Sequence, residues 1–120
     1  MRKTFIAALV MLIAGVAFAA NEGKDVTLTG YIVDNVCAPK YAVSPDLVKA
    51  HTVACALARS CVKSGYAFYS DGKLYKLDQD GNTKAEALLR NTGSKTGPQV
   101  KIEGSLDGDT LKVKSISEAS

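Results

Sequence analysis

All three cysteines and the only histidine of this chain fall within twenty-five residues, as Cys37, His51, Cys55 and Cys61. Thiols and an imidazole gathered in this way support three chemistries. The plainest is a structural disulfide: cysteines that enter an oxidising compartment usually pair. Cys37 joined to Cys55 or Cys61 would pin one segment to another, with one odd thiol left over. The second is a metal centre in which Cys37, His51, Cys55 and Cys61 surround one ion, because Cys3His is a common tetrahedral zinc set and thiolates also suit copper(I). The spacing matches no recognised zinc signature, so that case rests on the four-residue distance from His51 to Cys55. The third is a nucleophilic or redox thiol with His51 as base. No Cys-x-x-Cys is present, and neither an oxyanion device nor a third orienting group stands out in the sequence.

Other segments fit known chemistries less well. Asp78-Gln79-Asp80-Gly81-Asn82 begins like a calcium loop, but Thr83 and Leu89 stand where that loop needs its glycine and its bidentate glutamate. Tyr66, Phe68, Tyr69 and Tyr75, with Lys73 and Lys76 nearby, have the composition of a base-stacking platform. Export and a charge near neutrality both argue against nucleic acid as the partner. There is no phosphate-binding glycine loop and no His-Glu-x-x-His, and the carboxylates are scattered over turns and solvent faces.

The elements that must position the thiols begin after an export signal. Met1-Arg2-Lys3 is positive, Phe5 to Phe18 is apolar, and Ala17-Phe18-Ala19 offers small residues at the cleavage positions. The expected cut follows Ala19, with the next bond as the alternative. The apolar run is short for a membrane span, which needs roughly 20 residues. Residues 1–19 thus read as a signal peptide and 20–120 as a single periplasmic or secreted domain. No second apolar segment predicts a membrane span in the mature chain. The formal charge of +3 falls to about +1 once Arg2 and Lys3 leave, too little to draw nucleic acid or anionic lipid by net charge.

Val26 to Val33 alternates, with Val26, Leu28 and Ile32 on one face, and reads as a strand in which Gly30 marks a bulge or a close backbone approach. Ser44-Pro45-Asp46 reads as a helix start. Leu47, Ala50, Ala54 and Ala58 give an apolar stripe, so a helix is expected from about Pro45 to about Ser60. On that helix His51 and Cys55 share a face, whereas Cys61 lies about 9 Å further along the axis. A Cys55–Cys61 disulfide would need the helix to end before Cys61. Tyr66 to Ser70 and Lys73 to Leu77 flank Asp71-Gly72, a strong hairpin signal. Asp80-Gly81 is expected to form a second turn, and Thr83 to Glu86 a capping box that opens a helix ending near Asn91 to Gly93. Val100, Ile102 and Leu106, then Leu111, Val113 and Ile116, give two more strands around Asp107-Gly108. The parity change between Val113 and Ile116 predicts a bulge. Five strands with a helix between the third and fourth is the layout of an OB-type barrel, here with a helical insertion at about 35–62; an open α+β sheet is the competing architecture.

Gly30-Tyr31-Ile32-Val33-Asp34-Asn35-Val36-Cys37, His51-x-x-x-Cys55, Cys61-Val62-Lys63-Ser64-Gly65-Tyr66, Asp71-Gly72-Lys73 and Val100-x-Ile102-x-Gly104 with Gly108-Asp109-Thr110-Leu111-Lys112-Val113 span nearly the whole mature chain. This set resembles a group of small exported bacterial domains of unknown function, regarded as OB-like barrels with a cysteine-bearing insertion after the first strand. The resemblance implies bacterial export, a barrel, and cysteines that belong together with His51, but no activity. Such domains tend to carry Met-Pro between the last two cysteines. Here Ala56-Leu57-Ala58-Arg59-Ser60 lacks a thioether, which weakens the copper reading.

Together these features predict an exported binding or envelope-associated module for a protein or small-molecule ligand. A zinc or copper protein built on Cys37, His51, Cys55 and Cys61 is the alternative, and an enzyme comes third.

Overall fold

The computed structural model describes residues 23–119; the expected signal peptide and its cleavage site lie outside them. The chain runs β1 (Lys24–Asp34), α1 (Ala38–Val43), a 3-10 turn (Pro45–Ala50), α2 (Val53–Ala56), α3 (Arg59–Ser64), β2 (Tyr66–Ser70), β3 (Lys73–Leu77), α4 (Gln79–Asn91), β4 (Gln99–Asp107) and β5 (Thr110–Glu118). The domain is mainly β with helices added, as the alternating segments predict.

β1 is long enough to serve two neighbours. Lys24 to Tyr31 pair antiparallel with β4, and Tyr31 to Asp34 pair antiparallel with β2. The order β1-β2-β3-β5-β4 returns to β1, with one parallel contact between β3 and β5 at Leu77 and Leu111, and so closes the sheet on itself. Gly30 sits where β1 passes between its two partners. A Cβ there would lie 2.0 Å from the Tyr69 carbonyl oxygen, so the close approach read from the sequence is real. Asp71 and Gly72 turn the β2–β3 hairpin with φ of 49° and 78°, the left-handed pair that a two-residue turn demands. The parity change in the last strand has its cause in the register: Glu103 faces Ser115 and Gly104 faces Val113, which leaves Lys114 as the bulged residue.

Alternation along β1 and β2 divides the core. Ile32, Tyr66 and Phe68 face the barrel interior with Leu77, Ala85, Leu89, Val100, Ile102, Leu111 and Val113. Val33, Ala67 and Tyr69 point outward and meet Ala38, Tyr41 and Val48 of the insertion. All of β2 is therefore buried, one face by the barrel and the other by the insertion. Tyr66, Phe68 and Tyr69, expected on the middle strands, belong to these two clusters and present no stacking face. Among the described residues, no helix is long and apolar enough to cross a membrane.

The single helix from Pro45 to Ser60, the Asp80-Gly81 turn and the capping box at Thr83 all fail, for tertiary reasons. The helix from Pro45 to Ser60 is three short pieces, and a further helix, α1, occupies the stretch before it that showed no period. Ala50, Ala54 and Ala58 of the expected stripe are exposed, while Val48 and Ala56 are the residues that bury. His51 and Thr52 are extended because they pair with the loop ahead of β4: Gly97 N–H donates to the His51 carbonyl at 2.8 Å and Val53 N–H to that of Lys95 at 3.0 Å. Ala58, with ψ of 144°, makes the second break. Asp80-Gly81 is likewise no turn. Asp78 caps α4 by accepting from Gly81 N–H at 2.9 Å, and its Oδ1 also accepts from Val113 N–H at 3.2 Å. Helix and β5 meet so closely that a Cβ on residue 81 would stand 2.7 Å from Val113 Cγ2. The glycine that suggests a turn is a packing glycine inside a helix, which still ends at Asn91 as expected.

Candidate metal centre

The site is built where β1 leaves the barrel. Asp34 continues the inward parity of Ile32, yet it is a carboxylate and is fully buried. Its Oδ2 accepts the Cys37 backbone N–H at 3.0 Å, and that N–H also reaches the Asp34 carbonyl at 3.2 Å. This tight turn fixes the direction of Cys37, which precedes α1 without capping it. Asn35 fastens the same turn to the end of α3: its Nδ2 donates to the Ser64 carbonyl at 2.7 Å and its N–H to that of Gly65 at 3.0 Å.

His51 arrives from the other side, buried, at the end of the 3-10 turn. The edge of one ring meets the face of the other between His51 and Tyr41, with centroids 5.4 Å apart and planes at 89°. His51 Nε2 comes to 2.9 Å from Asp34 Oδ1. The two atoms approach without the alignment of a hydrogen bond, and neither has another partner. Immediately afterwards Thr52 Oγ1 accepts the Cys55 N–H at 3.1 Å and starts α2, which turns the Cys55 thiol back toward the histidine. Tyr66 Oη, donating to the Ala56 carbonyl at 2.8 Å, holds α2 to the barrel.

The outcome is that one ligating atom each from Cys37, His51 and Cys55 lies within 4.8 Å of the others. Cys55 is exposed and Cys37 half-buried, so the trio is open to solvent through a depression of about 260 Å³ lined by Cys37, Lys40, Tyr41, Leu47, His51 and Cys55. The pairing of His51 with Cys55 expected from helical spacing is present, although the helix that suggested it is broken between them. Cys61 lies outside this trio. It is buried at the start of α3, on the Asp34 side of the site. All three cysteines are free thiols, and none of the three pairings weighed from the sequence is present.

Burial pushes the Cys37 thiol up to about 11, and the negative charge and hydrogen bonding of Asp34 push it the same way. Cys61 is raised by burial and then by Asp34, with Ser60 opposing. Without an ion these thiols hold their protons at neutral pH, which makes them poor nucleophiles. A bound cation reverses that logic, since it stabilises thiolate and carboxylate together.

Asp34 is the member that the sequence reasoning missed. The available signal was its place: an acid at the inward position that ends an alternating strand, three residues before a cysteine. No protein family matches this chain, and neither a curated protein nor a solved structure does.

Proposed function

We propose that this protein is an exported metal-binding module that holds zinc or copper(I) through Cys37, His51 and Cys55 at the edge of an OB-like barrel. The convergence of two thiols and an imidazole within 4.8 Å carries the reading. Ligands at zinc distances and tetrahedral angles stand about 3.5–3.8 Å apart, so side-chain rotation of about 1 Å closes the trio on an ion. The fourth position is open to solvent. The strand order, with a helix between the third and fourth strands, supports the OB-like assignment. The amino-terminal pattern supports export, and the barrel is the scaffold of the binding module expected from the sequence.

The same residues admit a second reading as a Cys–His–Asp nucleophile, because Asp34 supplies the orienting group that the sequence lacked. The raised Cys37 thiol argues against it. So does the Cys55 N–H, which is already held by Thr52 and cannot serve an oxyanion.

The deciding experiment is elemental analysis of untagged protein taken from the periplasm, followed by zinc and copper(I) titration of stripped protein. Stoichiometric metal, lost on His51→Ala, is the expected result. Denatured, stripped protein should then show three free thiols, whereas a disulfide would leave one. A wild-type protein that carries no metal and takes up none at micromolar concentration overturns the proposal.

A further inference from the structure

Asp34 has no part in the ligand trio, yet the site is organised around it. It is wholly buried, one oxygen is committed to the Cys37 N–H at 3.0 Å, and the other stands 2.9 Å from His51 Nε2. A buried carboxylate is costly unless it is paired. Every apolar requirement of that position would be met by a continuation of the Val26, Leu28, Ile32 pattern. Resting on the metal reading above, we infer that Asp34 is the positioning residue of the centre: it takes the Nε2–H of His51 and thereby leaves Nδ1 as the nitrogen that binds the ion.

The argument is one of hydrogen-bond capacity. A neutral imidazole has one N–H and one lone pair, and the partner of one nitrogen decides the role of the other. An ionised carboxylate accepts only, so the nitrogen facing it carries the hydrogen. His51 Nε2 and Asp34 Oδ1 have no other hydrogen-bond partner, and although the Cys37 and Cys61 thiols also lie beside this carboxylate, His51 Nε2 is the nitrogen that faces it. The ring packs edge-to-face against Tyr41, and the Gly97 N–H fixes the backbone that carries it by bonding the His51 carbonyl. The inference requires a small ring rotation that aligns Nε2–H with Asp34 Oδ1, now 2.9 Å away, and brings Nδ1 to the ion shared with Cys37 and Cys55. Metal-binding histidines commonly donate their second N–H to a carboxylate, and loss of that partner typically costs 10- to 100-fold in affinity.

Asp34→Asn is the discriminating change. The Cys37 N–H pins the amide oxygen on its own side, so the amide NH2 is left facing Nε2. A donor there favours an unprotonated Nε2 and puts the hydrogen on Nδ1, the wrong tautomer for binding.

The test uses the mature chain with zinc as the probe, and reads the two ring nitrogens of His51 by nitrogen-15 NMR. Zinc-loaded wild type should show a metal-bound Nδ1 and a protonated Nε2. Asp34→Asn should bind zinc 10- to 100-fold more weakly and shift the signature toward the other nitrogen, with the metal-free melting curve checked alongside. If Asp34→Asn fails to fold, the wild-type spectrum still decides. Wild type that binds zinc through Nε2, or an Asn variant that binds as tightly with the same nitrogen, overturns the role of Asp34 and leaves the metal centre standing. Wild type that binds no zinc removes the inference along with the centre on which it rests.

Discussion

The barrel and the insertion are held together by different physics. Phe68, Val100, Ile102 and Leu111 are fully buried in the barrel, and every strand there has two partners. The insertion between β1 and β2 has helices of 6, 4 and 6 residues, too short to be stable alone. It anchors on a small cluster around Tyr41 and Val48, and leaves Val36 and Val43 exposed. Much of its order comes from backbone ties and from the buried Asp34–His51 contact. Stability resides in one region and chemistry in the other, with Asp34 as the joint. An ion at the centre would supply to the insertion what its helices cannot.

The sharpest way to break this comparison is to damage each side in turn. Phe68→Ala opens a cavity in a fully buried position and should cost about 3–5 kcal/mol in urea denaturation, with metal binding lost as the fold is lost. A cost under about 1 kcal/mol would remove the barrel as the seat of stability. Cys55→Ser should do the opposite. The thiol is exposed, so the urea midpoint of metal-free protein should move by no more than about 0.5 kcal/mol. Zinc affinity should fall at least about 100-fold, or about 2.8 kcal/mol. Equal losses of stability and affinity in this variant would mean that the two regions are not separable.

Adding the ion sharpens the same contrast. At a free zinc concentration of about 100 times Kd the fold gains about 2.7 kcal/mol. Amide hydrogen exchange should show where the gain is felt: protection should rise at residues 37–56 more than in β4 and β5. Uniform protection would indicate one cooperative unit in place of two regions. A smaller effect is expected at the cap that aims Cys55. Thr52→Ala removes the acceptor of the Cys55 N–H and should cost about 1 kcal/mol, visible first as faster exchange in α2.

The barrel was legible in the sequence because its determinants are local. Alternation gave β1, β4 and β5. Asp71-Gly72 gave the hairpin, and the parity change before Ile116 gave the bulge at Lys114. The insertion was less legible because its determinants are distant. His51 and Thr52 are extended through pairing with Lys95, Thr96 and Gly97, which no window of helical spacing contains. Asp78 displaced Thr83 as the cap of α4 because it also serves Val113 on β5. Cysteine and histidine could be listed by type, so Cys37, His51 and Cys55 were found. Asp34 is not legible by type, because aspartates are ordinary at strand ends and only its complete burial marks it out.

The smallest effect is the most direct reading of what Asp34 does to its neighbours. The Cys37 thiol has an ordinary value of 9.0 and is raised to about 11 in the fold, by burial first and by Asp34 next. Below pH 9 folded and unfolded chains both hold this proton, and the contribution to stability is fully present. Between pH 9 and about 11 the unfolded chain releases the proton while the folded chain keeps it, so stability falls as pH rises; above that both are ionised and the slope vanishes. Tyr41 and Tyr66, both raised to about 12 by burial, lose stability in the same direction from about pH 10 upward. The interval from pH 9 to 10 therefore belongs mainly to the thiols. Cys37→Ser should flatten the stability curve of metal-free protein there, and zinc should flatten it in the wild type because the thiolate is then already formed. Urea midpoints at pH 8, 9 and 10 measure this. A slope that survives both changes would place the alkaline sensitivity elsewhere, at the buried Cys61 first, and burial with Asp34 would no longer be what sets the Cys37 contribution.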